Sequence, residues 1–216
     1  MFYIDIHTHA YKPHENVVCI ENVLTNFNEI PGERPISAGL HPWYLKNAEE
    51  ELSQLQSICH QQNVVAIGEC GLDRLAETDW DRQVTYFEAQ LDLATSLNKP
   101  VIIHCVRAFA ETMGMLKGIT VPVIFHGVNK KLSAIEPLIE NGYFLSFGKA
   151  ILQPSETIIH TLRAVPPAQL FLETDDSEAT IQDIYKTAAG IRNVSENEIA
   201  LQLQKNYHSI FNYGGH

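Results

Sequence analysis

The chain has 216 residues, 45% of them hydrophobic and 19% charged, the profile of one soluble globular domain over residues 1–216 with a sizeable core. With 26 Asp and Glu against 15 Lys and Arg, the formal charge is −11; such a surface does not draw polyanions by its general field, so a phosphate-bearing substrate has to be held by bound metal or by a few local cations. No charged segment followed by an apolar stretch opens the chain and no run is long enough to span a bilayer, which reads as a cytoplasmic protein with no membrane contact and no obligate protein partner.

Residues 3–9, Tyr-Ile-Asp-Ile-His-Thr-His, come first in chain order. Read as a strand, they place Asp5, His7 and His9 on one face and Ile4, Ile6 and Thr8 on the other. Two imidazoles pointing the same way into a sheet are costly unless a partner uses their nitrogens, and a divalent metal is such a partner. Further β-branched runs follow at 17–20, 35–40, 64–68, 101–104, 121–126, 143–147 and 170–173, which with the first makes eight strands. Segments of helical spacing lie between several of them, at 49–61, 80–97, 133–140 and 155–162, and a last one at 196–211 closes the chain. Near-continuous apolar strands alternating with helices predict a parallel sheet covered by helices. Eight such units predict a compact α/β fold, a single-domain (β/α)8 TIM barrel. A doubly wound open sheet fits less well, because no glycine fingerprint follows the first strand.

In such a barrel the reacting groups sit where strands give way to loops. Here the strand ends carry His7 and His9, then His41, then Glu69 with Asp73, then His104 with Arg107 shortly after, then His126, and finally Glu173-Thr174-Asp175. Taken singly, a strand-ending histidine is often a structural hydrogen-bonding group and an aspartate after a strand is often a helix cap. Gathered at one rim, these imidazoles and carboxylates point to a metal site. Cys19, Cys59, Cys70 and Cys105 form no Cys-x-x-Cys pair and read as reduced packing residues. Asp73 reads equally as orienting a ligand or capping the following loop. Arg107 reads as a fork for a substrate phosphate or carboxylate, with an ion pair to Glu111 one helical turn on as the alternative.

The motifs Ile4-Asp5-Ile6-His7-Thr8-His9, Gly39-Leu40-His41-Pro42 and Gly68-Glu69-Cys70-Gly71-Leu72-Asp73 resemble those of the TatD family of metal-dependent hydrolases. So do Gln83, Phe87, Gln90, Leu91 and Ala94, the stretch Lys99–Ala108 (99–108), Glu173-Thr174-Asp175 and the closing Asn206 and Phe211. The resemblance implies two divalent ions per chain. His7, His9, Glu69 and Asp175 would hold one, and Glu69, His104 and His126 the other, with Glu69 bridging. It also implies that Asp175 takes the proton of the attacking water, that the activity is a deoxyribonuclease working at nucleic-acid ends, and that His41 lies beside the ligands rather than among them. The residue types admit zinc, manganese, nickel or magnesium, imidazole favouring the softer ions.

The chain departs from the family in two loops. His126 is followed by Gly127-Val128-Asn129-Lys130, and Asp175 leads through residues 176–180 directly into a helical pattern. These departures leave room for a small phosphoester or amide as substrate. A non-catalytic metal-binding barrel is the alternative from another class.

Overall fold

A computed structural model describes residues 1–27, 30 and 32–211. Eight parallel strands follow one another in chain order in one sheet, with helices between them: the expected (β/α)8 barrel. Among the described residues no helix is long and apolar enough to cross a membrane. The described residues divide into two compact units, one over 22–123 and the other over 1–21 with 124–211.

In the unit formed by the two ends, β1 (Tyr3–Thr8) pairs in parallel with β2 (Val17–Val23). Strands β6 (Val123–Phe125), β7 (Phe144–Phe147) and β8 (Leu170–Leu172) pair in the same sense. Around them lie α4 (Leu132–Glu140), α5 (Glu156–Ala164), α6 (Ile181–Arg192) and α7 (Glu196–Ile210). Capping boxes at Thr180 with Asp183 and at Ser195 with Glu198 start α6 and α7, each satisfying backbone N–H groups that a helix start leaves over.

Backbone and side chains together join β1 to the segment that follows β8. Thr8 forms an isolated bridge with Asp175, three residues past the end of β8. The Asp175 N–H donates to the His7 carbonyl at 2.9 Å, and the His9 N–H to the Asp175 carbonyl at 3.1 Å. Further down, where a neighbouring strand would be expected to serve Ile4, the buried phenol of Tyr185 on α6 does so. It accepts from the Ile4 N–H and donates to the Ile4 carbonyl, both at 3.0 Å. Asn206 on α7 plays a like part, its amide donating to the carbonyls of Pro167 and Leu170 at 2.8 Å.

In the unit Asn22–Val123, β3 (Ile36–Ala38), β4 (Val64–Asp73) and β5 (Val101–Val106) pair in sequence, with α1 (Ala48–Ile58), α2 (Trp80–Leu97) and α3 (Phe109–Met115). Strand β4 is buried along its whole length and runs on to Asp73, five residues beyond the apolar run that marks it in the sequence. Two of its glycines permit a close approach to β5. A Cβ on Gly71 (φ +147°) would stand 2.0 Å from the His104 carbonyl oxygen, and one on Gly68 (φ +138°) 2.5 Å from that of Ile102.

The buried face of α2 carries two glutamines among its apolar residues. Gln83 accepts from the Asp73 N–H and donates to the Asp73 carbonyl, while Gln90 accepts from the Leu40 N–H and donates to the Leu40 carbonyl. Each amide thus replaces a missing strand at the point where a site-bearing segment leaves the sheet. Lys99 gathers the carbonyls of Cys59, Gln61 and Val64. It closes the last turn of α1 onto the start of β4.

Replacing Tyr185 by Phe keeps the buried ring and strands both polar groups of Ile4. The expected loss is about 1–3 kcal/mol, read as a lower urea midpoint with the slope of the transition unchanged.

Candidate metal centre

Each unit brings imidazoles and carboxylates together at the carboxyl ends of its strands. In the unit of the chain ends, His7 and His9 leave β1 and Asp175 follows β8. The Asp175 Oδ1 lies 3.4 Å from His9 Nε2 and 3.7 Å from His7 Nε2. Donor atoms of these three residues lie within 4.8 Å of one another, as do those of His126, Glu173 and Asp175. The His7 and His126 rings are 4.4 Å apart, centroid to centroid. Asp175 adopts the left-handed backbone region at φ 55°, uncommon for a residue other than glycine. That turn lets one residue close the β1–β8 seam with its backbone while its carboxylate faces two imidazoles.

Glu173, fully buried, enters this group although its sequence position suggested only a strand end. Its Oε1 accepts from the Gly127 N–H at 2.6 Å and lies 3.6 Å from His126 Nδ1. The chain that follows Asp175 passes directly into α6 at Thr180, as its sequence indicates.

In the other unit, His104 on β5 stands between two carboxylates. Its Nδ1 is 2.7 Å from Glu69 Oε1 and its Nε2 is 3.1 Å from Asp73 Oδ2. An Nε2–H held by Asp73 leaves Nδ1 to face Glu69, the carboxylate–histidine arrangement that orients a metal-binding imidazole. Asp73 serves both roles read from the sequence, since its Oδ1 also accepts from the Leu75 N–H at 2.7 Å. Burial would raise its pKa, but the N–H groups of Leu75, His104 and Trp43 outweigh that and hold the carboxyl below the ordinary range.

His41 lies 3.3 Å from Glu69 Oε1 and 3.3 Å from His104 Nδ1, close enough to belong to the same donor group. Its Nδ1 accepts from the Trp43 N–H at 3.1 Å, so the neutral ring carries its proton on Nε2 and donates toward Glu69. In that tautomer Nε2 serves Glu69 as a hydrogen-bond donor. Asn22, which the sequence did not single out, orients Glu69 twice: its amide donates to Glu69 Oε2 at 3.3 Å and its oxygen accepts the Glu69 N–H at 2.8 Å. A lone Asn after a strand carries no motif, and only its contacts reveal the role.

Arg107 departs from one of its two expectations. Glu111 pairs with Arg74, so the ion pair to Arg107 is not made. Arg107 is exposed after β5, at φ 52°. Cys70 is fully buried with Sγ 3.9 Å from the Ile102 carbonyl, and Cys105 lies against the Thr112 hydroxyl. Burial pushes the Cys70 thiol far up, which removes it as a nucleophile.

The donor chemistry fits divalent transition ions, because imidazoles and carboxylates are gathered with donor atoms within 4.8 Å of one another, and His104 and Glu69 are oriented by Asp73 and Asn22. A barrel whose strand ends gather such groups is that of a metal-dependent hydrolase. The family model described as TatD related DNase matches residues 7–212, and the chain belongs to this family. It is similar to an uncharacterized metal-dependent hydrolase of Buchnera aphidicola subsp. Baizongia pistaciae, 27% identical over 233 residues that span 96% of this chain and 88% of that protein. A shorter stretch of 89 residues is 40% identical to the 3'-5' ssDNA/RNA exonuclease TatD of Pantoea vagans, covering 40% of this chain and 34% of that one. Among solved structures, the TatD homologue YjjV of Escherichia coli K12 superposes with a TM-score of 0.85 at 25% identity, over 97% of this chain and 98% of that one.

Asp5, beneath the β1–β8 seam, yields a pH prediction. Its carboxylate is buried, with Oδ1 near the Thr174 N–H at 3.0 Å and Oδ2 2.7 Å from the Thr174 hydroxyl, which is itself 2.9 Å from Thr8 Oγ1. Burial, opposed by the Thr174 hydrogen bonds and assisted by nearby Glu173, pushes its pKa from 3.8 up to about 7. Between those values the folded protein keeps a proton that the unfolded chain has released, so stability falls as pH rises through this window. In metal-stripped protein, Asp5→Asn flattens that part of the fall, measured as the difference in urea midpoint between wild type and variant across the same pH range.

Proposed function

We propose that the chain, acting as a single barrel domain, is a deoxyribonuclease that hydrolyses phosphodiester bonds at nucleic-acid ends with two divalent ions, zinc among the candidates. The observation that carries this reading is the Asp175 carboxylate beside His7 and His9, a general base set among metal-binding imidazoles. The name of the Pantoea relative supports the substrate class. In this reading His7, His9, Glu69 and Asp175 hold one ion, and Glu69, His104 and His126 the other. The four cysteines, widely spaced and without a Cys-x-x-Cys pair, are in keeping with a reducing, cytoplasmic setting.

Ions bound there supply Lewis acidity toward a phosphoryl oxygen and lower the pKa of water. The protein's own groups do the rest. Asp175 accepts the proton of the attacking water at its carboxylate. Asp73 fixes the His104 ring through Nε2, and Asn22 and His41 fix Glu69, so neither ligand has to reorganise during reaction. Arg107, exposed and not engaged by Glu111, grips a phosphate of the strand through its planar fork.

Protein purified without chelator is expected to hold two ions per chain by elemental analysis and to degrade end-labelled single-stranded DNA. Asp175→Asn lowers kcat by about 10²–10⁴-fold. Turnover of phosphomonoesters or small amides with none of DNA would move the activity to a small substrate, and wild-type protein inert toward all three with full metal content would overturn the reading.

A further inference from the structure

Two large aromatic side chains stand half in solvent directly beside the Glu69–His104 group. Trp43 is 53% exposed and Tyr44 49%, and both follow His41 in the turn after β3. Together they leave aromatic surface open to solvent next to a polar site. Trp43 is not loosely placed, however. Its backbone N–H donates to His41 Nδ1, and its indole N–H donates to Asp73 Oδ2 at 2.6 Å, the same oxygen that holds His104. Trp43 is therefore held at two points, its backbone and its indole, by groups that orient the site.

The rings around Trp43 leave room for a stacking partner. His41, Tyr44 and His104 approach it at interplanar angles of 87°, 76° and 75°, all edge-to-face, with the His104 centroid 6.1 Å away. None of these lies parallel on the indole. Trp80, the other tryptophan of the chain, has its ring capped by the Arg74 guanidinium at 4.1 Å.

We infer that Trp43, flanked by Tyr44, is a stacking platform for the terminal nucleobase of a single strand, setting preference for ends that carry a base. This rests on the nuclease reading above and extends it to the part of the substrate next to the scissile phosphate. A planar heteroaromatic base matches an indole face held rigid in advance, and every base offers such a face. A chain carrying −11 gains little from its general field toward a polyanion, so affinity drawn from stacking answers a need that surface charge does not meet. The indole centroid lies 6.1 Å from that of His104, so a base stacked on it would adjoin a phosphate held at that side of the site.

Two measurements test the inference separately from nuclease activity as such. In a Trp80→Phe background Trp43 is the sole tryptophan; its fluorescence in metal-free protein should be quenched by millimolar deoxyadenosine monophosphate and left unchanged by deoxyribose 5-phosphate. With metal-loaded protein, Trp43→Ala should lower the ratio of kcat/KM for base-bearing over abasic 3' ends by roughly 10–100-fold, mainly through KM. Trp43→Phe, which keeps an aromatic face and loses the indole N–H to Asp73, should retain most of that ratio. Equal quenching by both monophosphates, or a Phe variant as unselective as the Ala variant, overturns the platform and assigns Trp43 to holding Asp73. Quenching by the nucleotide in a protein that leaves DNA intact would keep the platform and sink the nuclease reading.

Discussion

A carboxylate can be buried beside another polar group only if protons, N–H donors or cations balance its charge, and this chain buries Asp5, Glu69, Asp73 and Glu173 around strand ends. Each is balanced in its own way. Asp5 has its pKa raised by burial and is met by the N–H and hydroxyl of Thr174, Asp73 collects three N–H donors, and Glu173 receives the Gly127 N–H. Glu69 is tied at one oxygen by Asn22 and faces two imidazoles with the other. Where imidazoles gather beside carboxylates, as His7 and His9 do at Asp175, the donor set is one that a divalent cation balances. The metal dependence of the family is thus an answer to an electrostatic problem that the fold itself sets.

The groups that carry chemistry sit on segments leaving the sheet, where the ladder of backbone hydrogen bonds has run out. Long polar side chains reach in from helices to replace it. Gln83 and Gln90 serve Asp73 and Leu40, Asn206 serves the approach to β8, and Tyr185 serves β1. Their buried positions on otherwise apolar helix faces carry a desolvation cost that two hydrogen bonds to backbone offset. Because these partners are covalently fixed to rigid helices, the ligands inherit the precision of the secondary structure instead of the looseness of loops.

The barrel was legible because its strands are apolar runs separated by helical spacing, and the ligand candidates were legible because histidines and carboxylates recur where those runs stop. What stayed hidden has physical reasons. β4 reads as ending at Gly68 since Glu69, Cys70 and Gly71 break an apolar pattern, yet the strand continues because its glycines let β5 come close. Helix α3 is a seven-residue piece with too little periodicity to register. Asn22 works through its contacts alone, and Arg107 lost its expected partner because Glu111 turned to Arg74, a residue 37 positions away. Pairings across such distances leave no trace in local spacing.

The glutamine pair on α2 has a consequence for how this fold can diversify. One rigid helix clamps the exits of both β3 and β4, so lengthening either connection would tear an amide from its backbone partner and displace His41 or Asp73. Novel specificities are then most cheaply explored elsewhere, in the crossings behind His126 and Asp175, which these two clamps do not restrain.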